Sequence, residues 1–109
     1  MEREQKTLPV DVFHAISDPT RRRWLTLMAQ SELPVNELAS AFAMSRPAIS
    51  QHLRVLLQAG LVLERRVGRE RHYRLHAAPL REVSEWVKQY EQFWLDRLHL
   101  LGEQLERDQ

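Results

Sequence analysis

Ser45, Arg46, Pro47, Ser50, Gln51, His52 and Arg54 stand close together in the middle of the chain, and no acidic side chain falls anywhere between Ser45 and Gly60. Hydroxyl, carboxamide and guanidinium groups at this density suit hydrogen bonding to base edges and phosphate oxygens. A second basic group follows at Arg65, Arg66, Arg69 and Arg71, around the glycine of Val67-Gly68-Arg69. Arginines crowded at a hairpin tip can reach a DNA backbone or minor groove, the alternative being a merely well-solvated hairpin. The chemistry these residues offer is recognition of double-stranded DNA.

Other chemistries find little support. The chain has no cysteine, which excludes disulfides, thiolate metal sites and thiol redox sensing. There is no phosphate loop and no Ser/His/Asp constellation, so an enzyme is not expected. Asp96, His99 and Glu103 fall at i, i+3 and i+7, a spacing that a metal could use with help from a second subunit. They are read as a solvated acidic face, and His14, His72 and His76 show no ligand spacing, so neither metal nor other cofactor is expected.

The elements that must position these residues follow from periodicity. Around Ile49, the side chains of Leu53, Leu56 and Leu57 share one face of a helix, with Pro47, Gln51, Arg54 and Gln58 opposite. Ser45 is its N-cap, Pro47 is tolerated in the first turn, and Gly60 suits the left-handed residue beyond its end. Before it, Val35, Leu38, Ala39 and Phe42 predict a short helix joined by the turn Ala43-Met44-Ser45, making a helix-turn-helix. Val10, Phe13 and Ile16 predict a first helix from Pro9. Asp18-Pro19 starts a second that runs to about Gln30, with Trp24, Leu25, Leu27 and Met28 on its apolar side. The triple arginine Arg21-Arg22-Arg23 is either a solvated face or a phosphate contact. Ser31 to Pro34 is expected to be a loop and Met1 to Thr7 a frayed end.

After Gly60 the period becomes two, predicting a hairpin from Leu61 to His76. From Pro79 to Leu105, Leu80, Val83, Val87, Tyr90, Trp94, Leu98, Leu101 and Leu105 step by three or four, widened by Trp86, Phe93, Leu95 and Leu100. One small domain rarely buries so broad a stripe, so a second subunit is expected on it. The alternative is a helix docked entirely on its own domain. The fold class is therefore mainly α with a small β-hairpin, in the order α-α-α-α-β-β-α, as one domain over residues 1–109. Residues 9–78 form the DNA-binding core and 79–106 the dimerisation helix.

Whole-chain numbers agree. The 109 residues are 43% hydrophobic and 28% charged, ordinary for a globular protein, with no run long enough for a membrane span and a charged beginning unlike a signal peptide. A cytoplasmic location is expected. The net charge is only +1, but Arg46 to His76 holds seven Arg against two Glu, while Ala77 to Gln109 holds four basic against seven acidic residues. The electrostatic footprint is local. A winged module that docks a partner protein is the competing reading; acidic residues beside Gln51 and Arg54 would favour it, and none is there.

Ile16-Ser-Asp-Pro-Thr-Arg-Arg-Arg-Trp-Leu25, Val35-Asn-Glu-Leu-Ala39, the Ser-x-His-Leu-x-x-Leu-x-x-Ala-Gly run at Ser50 to Gly60, and Leu61-Val62 leading to Gly68 and Tyr73-Arg74-Leu75 resemble the arsenical-resistance-operon repressor family of winged helix-turn-helix regulators. The resemblance spans about Val12 to Leu80. It implies a homodimeric repressor, with dimer contacts from the first and last helices: Phe13, Leu80, Val83, Val87, Tyr90, Trp94, Leu98 and Leu101. It places Ser45, Arg46, Pro47, Ser50, Gln51, His52 and Arg54 on the recognition helix and Arg69 and Arg71 on the wing. The wheel sets His52 at the border of the apolar face, where packing or a phosphate contact is expected rather than base readout. Two departures stand out. Ala43 occupies a turn position where the family commonly has glycine, which costs about 1 kcal/mol if positive φ is needed there. The third helix, Val35 to Phe42, lacks the cysteine motif that many members use for metals. The aromatic cluster Trp86, Tyr90, Phe93 and Trp94 resembles a cysteine-free subgroup.

Overall fold

The computed structural model describes residues 10–107. Met1 to Thr7, expected to fray, and Pro9 lie outside the described residues. The elements are α1 (Val12–Ala15), α2 (Pro19–Gln30), β1 (Leu33–Pro34), α3 (Val35–Ala41), α4 (Arg46–Gln58), β2 (Val62–Val67), β3 (Glu70–Leu75) and α5 (Leu80–Arg107). Local chemistry sets most of these boundaries. Asp11, Asp18 and Ser45 have extended backbones, and their side chains accept the N–H of His14, Arg21 and Ala48, capping α1, α2 and α4. At the end of α4, Gly60 takes φ +76°. The Gly60 N–H donates to the Leu57 carbonyl and the Leu61 N–H to that of Leu56, closing a Schellman motif. The apolar contact that accompanies such an end is Leu61 over Leu56, both fully buried.

The loop expected at Ser31 to Pro34 is in part a strand. Leu33 pairs with Tyr73 and Pro34 with His72, giving an antiparallel three-stranded sheet in the order β1-β3-β2. Proline is admissible because β1 is an edge with nothing beyond it to receive an N–H. Two residues are too short to leave a periodic signal. The hairpin turns on Gly68 and Arg69 between paired Val67 and Glu70, with Gly68 at φ +64°. Glycine at the first of two loop residues is what a type II′ turn needs. No described residue other than glycine has positive φ. The turn at Ala43 is thus made without a left-handed residue, and alanine there carries no strain.

The core joins α2, α3, α4 and the sheet. Trp24, Leu38, Leu56, Leu61 and Val62 are its largest sealed side chains, and Ile49 and Leu53 from α4 pack with them. Burial departs from the helical wheel at two places: Val55 is buried while Leu57 is only partly so, and Leu27 of α2 is exposed. Strict alternation fails in the hairpin too. Leu61 and Val62 are both buried because they enter the core at the helix end, whereas Leu63 lies on the exposed stem.

α5 runs for 28 residues, about 42 Å at 1.5 Å per residue. Leu80 and Val83 pack on the core and Trp86 meets Phe13 edge-on at 5.8 Å, but Tyr90, Phe93, Trp94, Leu95, Leu98, Leu100, Leu101 and Leu105 are all exposed. The radius of gyration is 19.3 Å, against about 13 Å for a compact chain of this length. A helix docked entirely on its own domain is thereby ruled out within one subunit.

The Asp18 cap carries a pH-dependent contribution. Burial raises its carboxyl, but the Arg21 N–H, the nearby Arg21 guanidinium and the Thr20 N–H outweigh that and hold it below the ordinary carboxylate range. A lowered folded value means the cap contributes fully above about pH 4, and its contribution is lost as pH falls through the folded value. Asp18→Ala is expected to lose about 1 kcal/mol in urea melts at pH 7. The deficit should shrink at pH 3, below the ordinary carboxylate value, where part of the charged cap's contribution is already lost. An equal deficit at both pH values would show that the carboxylate charge is not what stabilises α2.

Candidate nucleic-acid interface

α4 presents the expected polar residues outward. Ser45, Arg46, Pro47, Ser50, Gln51, Arg54 and Gln58 are all exposed, on the side opposite Ile49, Leu53 and Leu56. Ser50 and Gln51 lie in the first half of the helix, Arg54 one turn further along, and none has an acidic neighbour on α4. Beside them the wing forms the other wall of an open cleft of about 350 Å³, lined by Ser50, Arg54 and Gln58 from α4 and by Glu64, Arg71 and Tyr73 from the sheet. Leu53 and Leu57 form its floor.

The wing arginines, expected as one group, divide into two. The Arg65 Nε donates to Glu32 at 2.8 and 2.9 Å, and Arg71 Nη1 donates to Glu64 at 3.0 Å. Hydrogen bonding to Arg65 comes first among the causes that hold the Glu32 carboxyl below its usual range, so the pair stays ionic in mild acid. Arg66 and Arg69 are exposed and have no carboxylate partner among the described residues; the same is true of Arg46 and Arg54. Unneutralised cations therefore lie at the wing tip and along α4, with Arg74 on β3 also unpaired among the described residues, while Arg65 braces the wing against the α2–β1 connection. His72 lies between Glu32 at 3.4 Å and Glu70 at 3.1 Å in the same brace.

Sequence periodicity does not join Glu32 to Arg65 or Glu64 to Arg71, because these partners stand 33 and 7 residues apart in the chain. Glu64 could have been found, since it faces Tyr73 directly across the hairpin register. Burial and then the Glu64 carboxylate push the Tyr73 hydroxyl upward, so it remains a neutral donor at the back of the cleft.

The triple arginine fits neither expectation as a unit. Arg21 is buried, Arg22 donates to the Ile16 carbonyl at 2.6 Å, and Arg23 sits 5.6 Å above the Phe42 ring. His52 is half-buried, edge-on to Trp24 at 5.6 Å, with Nδ1 2.9 Å from Nη1 of Arg21. Among the described residues no group of three or more metal-ligating side chains comes together, and His99 pairs with Glu103 at 3.1 Å.

A short helix, a turn and an exposed acid-free helix backed by an arginine-tipped hairpin is the arrangement of a DNA-reading winged helix. The family described as "Bacterial regulatory protein, arsR family" matches residues 18–63. The transcriptional repressor SdpR of Bacillus subtilis is 38% identical over 77 residues, covering 71% of this chain and 86% of that one. The chain belongs to the ArsR family. The arsenic resistance transcriptional regulator ArsR1 of Pseudomonas putida is 44% identical over 86 residues, covering 78% of this chain and 63% of that protein. Among solved structures, an ArsR-like transcriptional regulator from Rhodococcus sp. RHA1 superposes with a TM-score of 0.68 at 34% identity, with 88% of each chain covered. As an ArsR-family protein this chain is a DNA-binding transcriptional regulator and not an enzyme. No helix among the described residues is long and apolar enough to cross a membrane.

Proposed function

We propose that this ArsR-family chain is a cytoplasmic homodimeric repressor that reads an imperfectly palindromic operator. The observation that carries the reading is the exposed, acid-free face of α4, flanked by arginines that no carboxylate neutralises. Residues 9–78 act as the reader and 79–106 as the pairing helix. Ser50 and Gln51 contact bases; Arg46, Arg54, Arg66 and Arg69 contact phosphate or the minor groove, and Arg71 joins them when its Glu64 bond opens. Arg65, held by Glu32, sets the angle of the wing.

The apolar side of α5 supports the dimer. Tyr90, Trp94, Leu98 and Leu101 recur along a helix that leaves its own domain, and the same stripe on a second copy would cover them in register. Phe13, Leu80, Val83 and Val87 at its base link that interface to the reader. Repression, rather than activation, is supported by the similarity to the transcriptional repressor SdpR.

Footprinting on the DNA upstream of the chain's own gene tests the proposal. The expected result is two protected half-sites with centres about 10 base pairs, or a multiple, apart, with affinity falling steeply as salt rises. No protection at low salt, or an affinity indifferent to salt, refutes it. Regulation that survives Arg54→Glu but fails on changes at Trp94 would instead favour a module that docks a partner protein.

A further inference from the structure

Arg21 is an unusual residue to seal inside a small domain. Its exposure is 7%, and no carboxylate lies within ion-pair range among the described residues. The desolvation of a guanidinium must be offset by using its N–H groups, and these are used on three acceptors. Nε donates to the Ala15 carbonyl at 2.7 Å, Nη2 to the His14 carbonyl at 3.3 Å, and Nη1 meets Nδ1 of His52 at 2.9 Å. The first two acceptors belong to the end of α1. The third sits on the helix that reads DNA.

An arginine nitrogen can only donate. The Nδ1 of His52 must therefore accept, which makes the ring neutral and puts its proton on Nε2. Nε2 points away from Nδ1 across the ring, has no partner among the described residues, and is not sealed: among those residues the one buried unpaired side-chain nitrogen is Nε1 of Trp24. The ring cannot turn freely, because the Trp24 indole packs edge-on against it. Asp18 and Arg21 are the charged groups whose fields couple to this site.

We propose that Arg21 is a positioning residue for DNA recognition: it clamps His52 so that the imidazole presents a single Nε2–H from the flank of α4 to a DNA phosphate. The contact differs from those of Arg46 and Arg54 in being neutral and rigid. Its contribution is to register, fixing α4 at one depth in the groove, since a hydrogen bond from a locked ring tolerates little displacement. The proposal rests on α4 being the DNA-reading helix.

Three measurements test it. Long-range nitrogen-proton NMR of the free protein should show His52 protonated on Nε2 with Nδ1 as an acceptor; a proton on Nδ1 overturns the clamp. Operator affinity measured for Arg21→Lys, His52→Ala and the pair should form a strongly non-additive cycle. Each single change is expected to lose about tenfold and the double no more than either, because Arg21 acts through His52. Additive losses, or a folded Arg21→Lys protein with parental affinity, overturn the proposal. His52→Asn keeps an acceptor near Nδ1 and His52→Gln a donor near Nε2, so the asparagine variant should bind DNA more weakly than the glutamine one. The reverse order, or no difference, refutes the phosphate contact even if Arg21→Lys fails to fold. Should the parent bind no DNA at all, the reading of α4 fails, while the NMR result still decides whether the clamp exists.

Discussion

Arg54→Glu is expected to weaken operator binding by about a thousandfold and to leave the folded state intact. The guanidinium is exposed on α4, one turn beyond Ser50 and Gln51, and forms one lip of the cleft between helix and wing. It has no carboxylate partner among the described residues, so the change removes no internal contact. Exposed substitutions of this kind shift stability by about 0.5 kcal/mol or less. In the proposed dimer the effect at the DNA is doubled by symmetry. Each half-site loses a charge-assisted contact worth about 2 kcal/mol and gains a carboxylate facing phosphate, and a dimer suffers this twice. Fluorescence anisotropy titrations at fixed salt measure it, with circular dichroism confirming the helix content. An affinity within threefold of the parent would remove α4 from the interface.

The helices and the hairpin were legible because their determinants are local. Asp18-Pro19, Ser45 and Gly60 announce the helix ends through capping chemistry that needs nothing from elsewhere in the chain, and each acts as its residue type predicts. The outward face of α4 was equally readable, since a wheel assigns Gln51 and Arg54 without any knowledge of the partners behind them. What escaped depends on contacts between distant residues. β1 has two residues and exists only because β3 offers it an edge. Arg65 reads as a free cation until Glu32, far off in sequence, is brought to 2.8 Å.

Arg21 shows the same limit most clearly. Three consecutive arginines suggest one solvated face, yet they lie 100° apart around a helix and must meet three different surroundings. The first turns inward to the α1 carbonyls and His52, the second reaches Ile16, and the third lies over Phe42. The wheel places His52 at the border of the apolar face, and the ring is half-buried there. A wheel cannot supply the residue that holds the ring there, which is Arg21.

Leu98→Glu should convert the dimer to monomers and cost about a hundredfold or more in operator affinity, without unfolding the subunit. The two effects separate because of where α5 leaves the core. Leu80 and Val83 belong to the core, so charges there would unfold the reader itself. Leu98 is 64% exposed and Trp94 50% exposed within one subunit, so a glutamate at residue 98 has ready access to water in the monomer. In the proposed dimer the same carboxylate would lie in an apolar seam, once from each copy. The lost burial of a leucine, about 1.5–3 kcal/mol per subunit, is joined by the desolvation of a charge, enough to dissociate a two-helix interface. Separated readers then bind half-sites independently and forfeit the effective concentration that pairing supplies, a loss of about 10²- to 10⁴-fold. Sedimentation velocity gives the mass, and anisotropy on a full operator and on a single half-site gives the affinities. The full operator should lose its advantage while the half-site is bound as before. A variant that stays dimeric would show that the two copies pair through another face, and a monomer that keeps full affinity would show that α5 does not pair the readers.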